Sequence, residues 1–169
     1  MAPGSDKNFI WLATIDTGRA TGITVSANIG LSPTPMRANV GLVGLFADRM
    51  NHLVCKVEVS EGHPEGLLAI GEERQGLTTS LLAERDDVGF VSGKTYHLRL
   101  HVPSSLADSP VTCRASGRGI RPAKVTYLLT AASIAAYGSG TGQGLRIKIF
   151  DDEDDGKSSW DDFEVVPGA

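Results

Sequence analysis

The chain has 169 residues, 41% of them hydrophobic and 21% charged, which suits one domain with a buried core. Its formal net charge of −4 argues against a nucleic-acid partner, because phosphate binding needs a concentrated basic surface. No stretch is long and apolar enough to span a bilayer as a helix, so no membrane partner is expected.

The opening residues, MAPGSDKNFIWLATI, contain neither a basic n-region nor an apolar h-region, and predict a protein made without a secretory signal. Residues 1–8 read as a flexible end, 9–166 as one domain and 167–169 as a tail. From Thr21 the dominant period is two. Ile23, Val25, Ala27 and Ile29 alternate with Thr24, Ser26 and Asn28. Leu53, Cys55, Val57 and Val59 alternate with His52, Lys56 and Glu58, and Tyr96, Leu98, Leu100 and Val102 with His97, Arg99 and His101. "KVTYLLT" and "LRIKIF" continue the pattern. Each run predicts a strand with one face on a core. Between them fall turn signals: TPMRAN, EGHPEG, VSGK, VPSS, SGRGIRP, GSGTGQG and DDGKSS.

Many short strands without a long helical period predict an all-β fold, an antiparallel two-sheet β-sandwich or jelly roll. At most one short helix is expected, near residues 130–138, where Gly138 suits the C-cap. Cys55 and Cys113 lack metal-ligand spacing and lie on the apolar side of their runs. They read as buried thiols, with a disulfide left open if their strands are neighbours.

Three features carry candidate chemistry. The stretch "FDDEDDGKSSWDDFEV" clusters Asp151, Glu153, Asp155 and Asp162, oxygen donors of the kind calcium prefers. It departs from an EF-hand loop: Glu153 stands where Asp or Asn is expected, Asp162 is one methylene short at the last position, and strands flank it. A solvated acidic hairpin is the simpler reading. His97, Arg99 and His101 line one face of one strand, where two histidines can share a metal or the trio can meet an acidic ligand. Trp160, with Trp11 and Tyr137, offers an aromatic face for a sugar. Paired carboxylates such as Asp162 and Glu164 do not form the acid triplet of sandwich-fold glucanases, so no catalytic residue is assigned. GSGTGQG precedes a strand, whereas a phosphate loop opens a helix.

In order, "GLVGLFADRMNHLVCKVEV", "SGKTYHLRLHV", "GTGQGLRIKIF" and "WDDFEV" resemble the segments of concanavalin A-like (LamG-type) jelly-roll modules, over roughly Thr21 to Val166. Similar sequences look like domains of tailed-phage minor tail or head-decoration proteins. The resemblance implies a non-catalytic structural or binding module, a virion component (capsid decoration or minor tail protein) made in the host cytoplasm. Its partners would be a capsid or tail assembly and further copies of itself. The alternative is a calcium-dependent, lectin-like module that binds a glycan; a weaker one is a sandwich-fold glycosidase or lyase. No cofactor is expected beyond calcium in the lectin-like case.

Overall fold

Side chains that alternate between water and a common core dictate the architecture. The computed structural model describes residues 9–31, 38–60, 62–75, 80–149 and 158–167. Its elements run in the order β1 (Phe9–Asp16), β2 (Ile23–Gly30), β3 (Ala38–Asp48), β4 (Asn51–Ser60), β5 (His63–Glu73), β6 (Ser80–Arg85), β7 (Thr95–Val102), β8 (Val111–Ser116), β9 (Ala123–Tyr127), α1 (Ala131–Tyr137), β10 (Gly142–Ile149) and β11 (Ser159–Pro167). A six-stranded sheet has the order β1-β10-β3-β4-β5-β6, and a five-stranded sheet the order β11-β2-β7-β8-β9. Neighbouring strands are antiparallel throughout both, so the fold is the expected two-sheet sandwich with one short helix.

The inner faces interdigitate. Val25, Ile29, Leu98 and Leu100 from the five-stranded sheet meet Leu42, Leu53, Val57 and Ile70 from the other, all of them fully buried. Each such side chain stabilises the fold by about 1.5–3 kcal/mol relative to exposure. Cys55 on β4 and Cys113 on β8 form a disulfide across this core. That corrects the reading as two thiols. The strands are not hydrogen-bonded neighbours but face each other from opposite sheets, a relation that alternation along one strand does not reveal. Facing sheets ordinarily stand about 10 Å apart; here the two Cα atoms are 5.4 Å apart, so the sheets pinch at the bridge.

Two turn signals are absorbed into strands. His63, Pro64, Glu65 and Gly66 of EGHPEG begin β5, and Gly142, Gln143 and Gly144 of GSGTGQG begin β10. Glycine is required at Gly144 because a β-carbon there would strike the carbonyl oxygen of Ala13 on β1. The helix falls within 130–138 as expected, but its C-cap glycine does not use the left-handed conformation that favours glycine there. The Thr130 side chain accepts a hydrogen bond from the Ser133 N–H, and Gly138 closes the C-terminus in a right-handed conformation, φ −63°.

In β11 the apolar residues Trp160 and Phe163 are three apart, which strict alternation cannot place on one face. A one-residue bulge between Asp161 and Glu164, with Asp162 at φ 52°, shifts the parity. Trp160, Phe163 and Val165 therefore all pack against the core.

The bridge closes a separation of 58 residues. Loop-closure entropy predicts that replacing both cysteines by alanine lowers the unfolding free energy by about 4 kcal/mol. Urea denaturation checks this; equal midpoints for the bridged and alanine forms would show that the thiols are not joined. In the same assay Leu98→Ala is expected to cost about 2–5 kcal/mol. Phe163→Ala, at a half-buried edge position, is expected to cost less.

Candidate binding faces

The sandwich has two outer faces, and the sequence treats them oppositely. On β7 every second residue is outward, which exposes His97 and Arg99 and half-exposes His101. Antiparallel pairing then brings outward residues of neighbouring strands into rows. Arg99 pairs with Ser26 on one side and Arg114 on the other, and Arg114 pairs with Lys124. Arg99, Arg114 and Lys124 thus stand abreast on three adjacent strands. The His101 Nδ1 lies 3.1 Å from the Thr24 hydroxyl. The His97 Nδ1 lies 3.1 Å from the Asn28 Oδ1, and the Asn28 amide donates to the Asp162 carboxylate at 2.7 Å.

Two hollows adjoin on this face. One, of about 220 Å³, is lined by Thr24, Arg99, His101, Thr112 and Arg114. The other, of about 380 Å³, adds His97, Ser116 and Lys124 and shares both arginines. Together they form a shallow groove across the strands.

The outer face of the six-stranded sheet is buried at its centre. Val43, Val54 and Ala69 are fully enclosed there, and so is His52. Polar groups on this face must therefore find partners within the protein. Arg146 donates to Glu73 at 2.6 Å and to Asn39 at 3.0 Å. Lys56 donates to Glu58 at 3.2 Å, and burial lowers the Lys56 ammonium from its usual range while Glu58 opposes that shift. At the end of the core, Glu72 accepts from the Ser133 and Tyr137 hydroxyls, each at 2.7 Å, and anchors α1. Burial and then the Glu72 bond raise the Tyr137 phenol.

Burial, reinforced by the nearby Arg146 charge, pushes the His52 imidazole down to about 4. The unfolded chain, near 6.5, binds the extra proton first. Stability from this residue is therefore complete above about 6.5 and lost as pH falls toward about 4, a change of roughly 3 kcal/mol. Equilibrium unfolding at stepped pH checks this. The slope in that window should vanish in His52→Gln, and an unchanged slope would mean that His52 does not carry it.

The candidate residues named from the sequence fall in three places. His97, Arg99 and His101 share the open face, and Asp162 is joined to them through Asn28. Trp160 lies on the core side of its strand, away from that groove. Asp151, Glu153 and Asp155 lie outside the described residues. Among the described residues no group of three or more His, Cys, Asp or Glu side chains is placed to hold a metal. Sequence reasoning missed Arg114 and Lys124. Their alternation marks them as outward, but only the strand order sets them beside Arg99.

No protein-family model matches the chain, and no curated protein matches it in sequence. Solved structures do match in fold. The carbohydrate-binding module CBM66 from Bacillus subtilis has a TM-score of 0.61 and 14% identity, covering 95% of this chain and 83% of that one. A toad ovary galectin in complex with thio-digalactose has a TM-score of 0.57 and 8% identity, covering 92% and 98%. A mutant of the GH43 protein BlXynB from Bacillus licheniformis has a TM-score of 0.57 and 14% identity over 86% of this chain, which spans only 27% of that one. At these identities the likeness is one of fold alone, a two-sheet antiparallel β-sandwich.

Proposed function

We propose that the chain is a non-catalytic carbohydrate-binding module whose ligand lies on the outer face of the five-stranded sheet. The observation that carries the reading is the fold likeness to CBM66 over nearly the whole chain. The galectin bound to a sugar analogue supports the same ligand class. The open groove supports the location, because the opposite face is buried at its centre. Among the described residues no carboxylate lines either hollow, whereas glycoside hydrolysis needs two flanking the scissile bond. None of the structures compared above is a virion protein, so the sugar-binding reading is preferred to attachment on a capsid or tail. The Cys55–Cys113 bridge supports action in an oxidising compartment.

Native gel electrophoresis through a panel of soluble polysaccharides tests the proposal. At least one polysaccharide is expected to retard the wild-type protein, and Arg99→Ala is expected to remove the retardation with its melting temperature preserved. EDTA should leave the retardation unchanged, because the groove residues themselves are not metal ligands of the calcium type. Unretarded migration in every polysaccharide would overturn the reading, and loss with EDTA would move the ligand to a metal site.

A further inference from the structure

We infer that the saccharide bound here is acidic, with carboxylate or sulfate groups of successive sugars seated on Arg99, Arg114 and Lys124. This deepens the carbohydrate-binding reading and rests on it. Like charges directly opposite each other on neighbouring strands are destabilising. The five-stranded sheet holds two such pairs in succession, Arg99 with Arg114 and Arg114 with Lys124. Relief is absent among the described residues: the ion pairs there involve Lys56, His63, Arg74 and Arg146, none of them on this row. The row continues through Ser26 to Glu164 on the edge strand β11, two strands from Arg99, with no ion pair between them among the described residues. An anionic ligand would remove the repulsion on binding.

The geometry selects an extended anion. Strands stand about 4.8 Å apart, so the three cations span about 10 Å at right angles to the strands. A pyranose unit lengthens a polysaccharide by a comparable step, so charges on successive sugars meet successive strands. Each guanidinium can grip a carboxylate or sulfate with two parallel hydrogen bonds. On either side of this row, His101 with Thr24 and Thr112, and His97 with Ser116, offer partners for sugar hydroxyls.

The same lining disfavours other anions. Among the described residues no Trp, Tyr or Phe lines either hollow, so these residues offer no stacking platform of the kind on which single-stranded nucleic acid depends. For the same reason a neutral sugar would find no aromatic face there, and charge must supply the affinity.

The test is titration of the disulfide-intact protein with polygalacturonate, dextran sulfate and uncharged dextran, and with poly-dT and phosphatidylserine-containing vesicles. It is run in about 50 mM and about 500 mM NaCl, where screening of exposed charges differs strongly. Both acidic polysaccharides are expected to bind at low salt and to be released at high salt, with dextran unbound. Arg114→Gln and Lys124→Glu should each weaken binding about tenfold or more. Both should keep or raise the melting temperature, because each relieves repulsion. Lys124 is exposed, so its variant reports even where Arg114→Gln folds poorly. Salt-insensitive binding of a neutral polysaccharide would overturn the acidic assignment and leave the carbohydrate reading standing. Failure of every polysaccharide in the wider panel would overturn both. Equal binding of poly-dT or vesicles would show a general anion surface and overturn the saccharide assignment.

Discussion

Burial of both faces of β4 and β5 is the constraint on which the rest of the structure depends. A strand enclosed on one side can place polar residues freely on the other. A strand enclosed on both sides must either be apolar throughout or pair each polar group internally. β5 takes the first course over Leu67, Leu68, Ala69 and Ile70, and the second at Glu72 and Glu73, which Ser133, Tyr137 and Arg146 meet. β4 takes the second at Lys56, which donates to Glu58, and only in part at His52, whose Nδ1 meets the Asp48 carbonyl while its Nε2 has no hydrogen-bond partner among the described residues. Removing one member of the buried Arg146–Glu73 pair would take from the other a charge-assisted hydrogen bond of 2.6 Å, and breaking a buried pair in this way is costly.

The closed face directs function to the other sheet. On β2 the outward Thr24 and Ser26 are buried, and so is Thr112 on β8, but Arg99, Arg114 and Lys124 on β7, β8 and β9 stay exposed and available to a ligand. A sheet is a rigid support, and register fixes the spacing of whatever stands on it, so Arg99, Arg114 and Lys124 need no loop to position them. The Cys55–Cys113 bridge ties the centre of this sheet to the buried strand behind it and ties the stability of the binding face to that of the core.

Much of this was legible in the sequence where polar and apolar residues alternate along a strand. β2, β7 and the polar-apolar pattern of β4 follow from period two, and α1 follows from its short apolar run between Thr130 and Gly138. Legibility fails for physical reasons that differ from place to place. In β5 the doubly buried run has no alternation to detect, and its start carries Pro64 and Gly66, which read as a turn. In β10 glycines serve close strand approach instead of bending. In β11 a bulge reverses the parity, so Trp160 turns to the core although Asp162 and Glu164 stay outward. The trio His97, Arg99 and His101 was visible because it lies on one strand; its extension to Arg114 and Lys124, like the cross-sheet disulfide, depends on which strands become neighbours.

The central claim is that the five-stranded sheet is the binding face and the six-stranded sheet is not. Amide chemical-shift mapping of the isotope-labelled protein with a short acidic oligosaccharide tests it directly. The account predicts shifts concentrated on β7, β8 and β9 around Arg99, Arg114 and Lys124, with the amides of Val43, Val54 and Ala69 unmoved. Shifts centred on β3, β4 and β5 would place the ligand on the opposite face and contradict the account.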